Sequence, residues 1–339
     1  MNLLLIICLS ALSAIAQELP RRSFLGVQME NISDDTRRIM NLPSKEGVLV
    51  KGIIPGSTAA AAGFQTGDVL LSINETKLNS ISEAVAYVGS KKGNETFSYV
   101  IFRNGKKLSG RSTFSPYPEE KYSDLKVEYP AVKTSLGLQR LIVTTRKDGK
   151  STSGHVYFIG GIGCYSLDTP QDTMRSEVQL LNMLARAGYT TVRLEKSGMG
   201  DAVGKSKSCE EISFTEEAES YAEAIASFRE SSGHTGKVFV IGHSMGGLMA
   251  PLAAGSTRID GIISYGTIGS NFIEYLAKTR RTIAKAYGWP PDETDKYIKD
   301  FCECAAWYLT NMLTVNEASK KNPDCGEYLS VFELRSQKY

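Results

Sequence analysis

Apolar and polar positions are arranged in two different styles along this chain. Between residues 21 and 114 the apolar runs are short and punctuated by glycine turns. GVLVKGII at 47–54 predicts a strand. PGSTAAAAG at 55–63 predicts a turn and a short helix closed by a glycine C-cap. FQTGDVLLSIN at 64–74 reads as a tight turn into an alternating strand. Residues 80–90 place Ile81, Ala84, Val85 and Val88 on one helical face. FSYVIFR at 97–103, Asn104-Gly105 and KKL at 106–108 predict a hairpin. Residues 115–124, SPYPEEKYSD, are polar, hold two prolines and show no period, so they read as a linker.

From 125 onward the pattern changes. Residues 125–132 and 139–146 predict a hairpin. Short apolar strands at 156–159, 191–194, 238–241 and 260–265 then alternate with helices at 173–187, 214–231 and after Ser244. The helix at 214 opens on a capping box, Ser213 with Glu216. Buried strands alternating with helices mean a parallel sheet with right-handed crossovers. Two further helices, 272–286 and 292–313, flank GWPP at 288–291.

The ends and the composition narrow the class. Residues 3–16, LLLIICLSALSAIA, fall short of the roughly 20 residues a membrane span needs. They fit a signal peptide, 1–16, cleaved before Gln17, which implies a periplasmic or extracellular protein. No later run suggests a membrane span. The 339 residues suggest two domains. With 42% apolar and 22% charged residues, disordered and collagen-like chains are excluded. A net charge of +2 without a basic run gives no reason to expect a nucleic-acid partner. Beyond the leader stand Cys164, Cys209, Cys302, Cys304 and Cys325, an odd number, so one thiol lacks a partner within the chain. Cys302 and Cys304 are too close together for a zinc knuckle, and neither a metal site nor a cofactor is expected.

Residues 21–114 resemble a PDZ domain of the bacterial protease-associated type. The resemblance rests on FLGV at 24–27, GIIPGSTA at 52–59, AG at 62–63 and GDVLLSIN at 67–74. It implies an α+β module whose Phe24, Leu25, Gly26 and Val27 form the carboxylate-binding loop. A peptide or protein C-terminus would add as a strand beside the 80–90 helix.

In the second domain, KVFVI at 237–241 runs into Gly242-His243-Ser244-Met245-Gly246-Gly247 and then an apolar helix. This is G-x-S-x-G in its strand–turn–helix setting. The turn exposes the Ser244 hydroxyl, and glycines permit the close approach of strand and helix. The Met245 N–H, at the start of the helix, can stabilise an oxyanion. A second donor, Gly161 or Ile162, is expected from FIGGIGC at 158–164. EKSGMGD at 195–201 has the glycine spacing of a tight loop on the same edge.

These features resemble the α/β-hydrolase superfamily from about residue 124 onward, of the kind seen in secreted bacterial serine hydrolases with a Gly-Gly-x-Gly-Cys oxyanion loop. The resemblance implies a fold of α/β class, 125–339, with a helical cap at about 271–328. It also implies a disulfide between Cys164 and Cys209. The order Ser, Asp or Glu, then His is expected of the triad, yet no histidine follows Ser244. His155 begins a strand roughly 16 Å from the oxyanion edge, and His234 precedes the nucleophile strand. His243 lies within the turn. The expectation is therefore an incomplete hydrolase domain whose last strands, acid and base are missing, a chain truncated at its C-terminus. The function expected is an exported serine hydrolase, esterase or peptidase, acting on a small acyl or peptide substrate with a PDZ peptide-binding module. The alternative is a non-catalytic PDZ scaffold with a degenerate hydrolase domain.

Overall fold

The computed structural model describes residues 19–150 and 154–330; the expected signal peptide lies outside them. The first domain comprises β1 (Ser23–Phe24), β2 (Val27–Asn31), α1 (Asp34–Ile39), β3 (Val48–Ile53), α2 (Thr58–Ala61), β4 (Val69–Ile73), β5 (Thr76–Lys77), α3 (Ile81–Gly89), β6 (Thr96–Arg103), β7 (Lys106–Thr113) and β8 (Ser115–Pro116). Its antiparallel sheet runs β2-β3-β4-β6-β7, with β5 on β4. Asn104 and Gly105 both take positive φ, 49° and 80°, as a two-residue hairpin turn between β6 and β7 requires. Val48, Val50, Leu70, Ile73, Phe97, Ile101 and Phe114 build the core between sheet and helices. Each such side chain is worth about 1.5–3 kcal/mol over leaving it in water.

The second domain follows as β9 (Leu125–Glu128), β10 (Ala131–Thr134), β11 (Gly137–Arg146), β12 (His155–Ile159), α4 (Ser176–Arg186), β13 (Thr190–Leu194), α5 (Phe214–Ser231), β14 (Val238–His243), α6 (Gly246–Ala254), β15 (Gly261–Tyr265), α7 (Phe272–Ala286), α8 (Pro291–Leu309), α9 (Val315–Lys321) and α10 (Cys325–Leu329). The sheet order is β10-β11-β13-β12-β14-β15, with β9 also paired to β11. β13, β12, β14 and β15 are parallel. Successive β12 residues face opposite layers. Val156 and Phe158 meet Leu181 of α4, whereas Tyr157 and Ile159 meet the layer of Tyr221, Ile225 and Met249 from α5 and α6. This period of two is what a strand buried on both faces demands.

β15 is the last strand of the sheet among the described residues, and Ile263 on it is 57% exposed. After it, α7 to α10 form a core of their own around Phe301, Tyr308 and Leu329, stapled by a disulfide between Cys304 and Cys325. Cys302 is the free thiol among the described residues.

The connection between the domains is anchored. Phe24 and Ser23 pair with Ser115 and Pro116. Glu120 is buried, and both its oxygens accept from the buried Arg193 guanidinium at 2.7 and 2.8 Å. A planar fork meeting a carboxylate in this way fixes orientation as well as distance.

Candidate functional site

The site begins where β14 ends. Ser244 has φ 54°, a left-handed conformation that a serine adopts only under constraint. Its N–H donates to the Tyr265 carbonyl at 3.0 Å, and its carbonyl accepts from Gly247 N–H at 3.0 Å. The flanking glycines are required by contact. A Cβ on Gly242 would lie 2.4 Å from the Gly246 carbonyl oxygen, one on Gly246 2.3 Å from that of Ile159, and one on Gly247 1.9 Å from Thr267 Oγ1. Pro251 inside α6 leaves the Gly247 carbonyl without its helical donor, and Ser264 Oγ donates to it instead at 3.2 Å.

The 160–164 loop lies against this turn. A side chain on Gly161 would begin 3.1 Å from Ser244 Cβ and 3.5 Å from its Oγ, so a larger residue there would crowd the serine side chain. Tyr165 Oη sits 3.5 Å from the Gly161 carbonyl oxygen. That carbonyl therefore faces Tyr165, and the Ile162 N–H of the same trans peptide points the opposite way. Met245 is the N-cap of α6, so its N–H precedes the helix and has no intrahelical partner. Cys164 is bonded to Cys209, joining this loop to the one after β13.

Buried charge supports the same edge. Glu195 accepts from Ser166 Oγ at 2.6 Å and Leu167 N–H at 3.0 Å. Lys196 and Glu217 form a fully buried pair at 3.2 Å; Tyr221 donates to Glu217 at 2.8 Å, and the ammonium lies 5.2 Å from the Tyr165 ring centre. Burial pushes the Asp168 carboxyl up to about 6, against the pull of Arg21.

The histidines are elsewhere. His155 and His234 stack on each other at 3.5 Å, at the opposite end of β12 and β14 from Ser244. His243 packs on the Tyr265 ring at 4.8 Å between the loops of Gly161 and Gly266. Among the described residues no imidazole hydrogen-bonds Ser244, and no group of His, Cys, Asp and Glu could hold a metal ion.

In the first domain, Phe24, Leu25, Gly26 and Val27 line a loop whose carbonyls turn inward. Thr58 Oγ1 donates to the Phe24 carbonyl at 2.6 Å, Ala59 N–H to that of Leu25 at 2.9 Å, and Ile54 N–H to that of Gly26 at 2.9 Å. All three peptides are trans, so the N–H groups of Leu25, Gly26 and Val27 point away from the core. β2 is the end strand of its sheet, and Asn31 Oδ1 ties its far end to the first amide of α3 at 2.8 Å.

The sequence reasoning missed a group of residues around Asp201. Arg21 Nη1 donates to Asp201 Oδ2 at 2.7 Å and its Nη2 lies 2.7 Å from Asp168. Arg22 N–H donates to Asp201 Oδ1 at 2.7 Å, and Arg140 Nε to Oδ2 at 2.9 Å. The one local signal was an acidic residue ending a glycine-spaced loop.

These arrangements define a β-rich peptide-binding module followed by an α/β-hydrolase fold with Ser244 at the turn between β14 and α6. The chain joins a PDZ domain, matched over residues 23–111, to a hydrolase domain whose residues 172–289 match the family described as serine aminopeptidase, S33. The first domain is similar to the periplasmic pH-dependent serine endoprotease DegQ of Escherichia coli K12, at 32% identity over 26% of this chain and 19% of that protein. It is similar also to the periplasmic serine endoprotease DegP of the same organism, at 27% over 26% and 19%. The chain spans about a fifth of the length of these relatives. Among solved structures, the HtrA3 PDZ domain bound to the phage-derived ligand FGRWV aligns at 21% identity over 28% of this chain and 86% of that one, with a TM-score of 0.25.

Proposed function

We propose that this protein is an exported serine hydrolase that cleaves an ester or amide, with Ser244 as nucleophile and the PDZ groove binding a peptide C-terminus. Ser244 Oγ attacks the substrate carbonyl carbon. The N–H groups of Met245 and of the 160–162 loop hold the oxygen that becomes negative, with the Ile162 N–H favoured over that of Gly161 by the direction of the Gly161 carbonyl. The leaving alcohol or amine departs with a proton, and water then releases the acyl group from Ser244. The domains read as 21–114 and 125–339 about a connection at 115–124, with the α7–α10 helices capping the substrate side.

The observation that carries this reading is the Ser244 backbone at φ 54°, held between three sterically required glycines with Gly161 across from its hydroxyl. Two disulfides and periplasmic relatives support export. Among the described residues no helix is long and apolar enough to cross a membrane.

A second reading, a non-catalytic PDZ scaffold, is favoured by the placement of all three histidines away from hydrogen-bond reach of Ser244. A fluorophosphonate probe separates the two. Covalent labelling that disappears in Ser244→Ala supports the hydrolase; a folded chain, verified as full length, that stays unlabelled overturns it and leaves the scaffold reading.

A further inference from the structure

We propose that Asp201 couples the PDZ groove to the Ser244 site, so that a peptide C-terminus seated in the groove changes reactivity at Ser244. This regulation rests on the reading of Ser244 as nucleophile.

The groove has two walls, and both are tied to this one residue. On one side the 24–27 loop is preceded by Arg21 and Arg22. The Arg22 N–H donates to Asp201 Oδ1 at 2.7 Å and Arg21 Nη1 to Oδ2 at 2.7 Å. On the other side α3 is followed by Lys92, whose Nζ donates to the Asp201 carbonyl at 3.0 Å. Asp201 is thus the point where side chains and backbone from both walls meet, 109 to 180 residues away in sequence. Its side chain is fully buried, and Arg140 of β11 fixes it to the hydrolase sheet at 2.9 Å. Buried ion pairs of this kind are sensitive to geometry, because displaced partners cannot recover solvation from water.

From Asp201 the connection to the nucleophile edge is covalent and ionic. The 195–209 loop is joined to the 160–164 loop through Cys209 and Cys164. The second arm of the Arg21 fork reaches Asp168, on the continuation of that loop, at 2.7 Å. Arg21 is clamped further by the Pro118 carbonyl at 2.8 Å and by the Tyr129 ring, 4.1 Å from its guanidinium carbon. A peptide entering between the 24–27 loop and α3 acts on two walls joined into one unit by hydrogen bonds from Ser23 N–H to the Lys91 carbonyl at 2.9 Å and from Gly93 N–H to the Arg21 carbonyl at 3.0 Å. Asp201 holds that unit to the hydrolase domain. Any preference of the ligand for one spacing of those walls is then a preference for one placement of Asp201 and its loop. Such coupling is reciprocal, since it is a free energy shared by the two sites.

The test uses the full chain and the pentapeptide FGRWV, with its C-terminal amide as control. At saturating FGRWV, Ser244 labelling by the fluorophosphonate changes by about fivefold or more. Hydrogen exchange slows within 160–168 and 196–209 as well as in the groove, and the amidated peptide does neither. Lys92→Met, which cuts the α3 tie, reduces the peptide effect on labelling to less than about twofold. Exchange protection confined to 23–114 with labelling unchanged overturns the proposal, as does failure of FGRWV to bind. A wild-type chain that is never labelled removes the nucleophile reading alone; the exchange pattern then decides whether Asp201 couples the two regions.

Discussion

β12 and β14 run side by side, and their two ends have opposite chemistry. At the C-terminal end the backbone is crowded and constrained. Glycines touch carbonyls, Ser244 is held at positive φ, and charged groups are buried in pairs. At the N-terminal end two imidazoles stack, the histidine His155 is buried, and the neighbouring turn through Gly233 is open. Two of the three histidines thus stand at the end away from Ser244, and the third, His243, packs on Tyr265 beside the serine turn. One end of the sheet is specified by contact, the other by ordinary packing.

The largest predicted effect breaks that comparison through backbone crowding. In Gly246→Ala the new methyl would sit 2.3 Å from the Ile159 carbonyl oxygen and 2.6 Å from that of Gly160, neither of which can turn aside. The expected loss is about 3 kcal/mol, at the upper end for overpacking. Gly233→Ala, at φ 65° but with open space around it, should lose only about 1–2 kcal/mol for its left-handed backbone. Urea unfolding of the two variants measures the difference. Equal losses would mean that the Ser244 turn is no more constrained than a surface turn.

The next effect separates the two disulfides. Cys164–Cys209 spans the loops beside Ser244, whereas Cys304–Cys325 lies within the α7–α10 core. Cys209→Ser should lower stability by about 2–4 kcal/mol. It should also slow fluorophosphonate labelling by roughly tenfold, since small displacements of an attacking group are expensive. Cys304→Ser should leave the labelling rate within about twofold of the wild type in the folded fraction, because the bond touches no part of the serine turn. Equal slowing in both would show that the loop disulfide has no local role.

What was legible in the sequence is what local contacts determine. The helix predicted at 214–231 has those bounds in the structure, because Ser213 and Glu216 cap each other within one turn. The strand–turn–helix around Ser244 was readable because its glycines are spaced within one turn, where Gly242 meets the Gly246 backbone, although Gly246 also meets the Ile159 carbonyl on the next strand and Gly247 the Thr267 side chain. α1 escaped notice because it buries no residue and so carries no apolar stripe. The Asp201 contacts were invisible for another reason: Arg21 lies 180 residues away, and ion pairs leave no periodic trace. Lys196 and Glu217 fall in a predicted loop and a predicted helix with nothing to show that they pair, since a charge is read as exposed until its partner is known. The 115–124 stretch read as polar connection, which says nothing of the buried Glu120–Arg193 pair that fastens it.

The smallest effect sharpens the contrast between the two ends through pH. Burial, with the charges of His234 and Arg229, holds His155 down at about 4. The unfolded chain therefore takes up a proton on this ring between about 6.5 and 4 that the folded chain refuses, and the stability contributed by His155 is lost as pH falls through that window. Asp168 has the opposite sign. Burial raises it to about 6, with Glu195 adding to the rise while Arg21 and Arg22 oppose it. The folded chain there keeps a proton that the unfolded chain has released, so stability is gained as pH falls from above 6 to below the usual carboxyl range. His155→Gln should make the urea midpoint fall less between pH 7 and 5 than it does in the wild type, and Asp168→Asn should make it fall more. Each comparison is made on the slope with pH, which the pH-independent loss of the His155 stack or of the Arg21 ion pair does not alter. Slopes that shift in the same direction would show that the two ends of the sheet do not differ in the way their burial dictates.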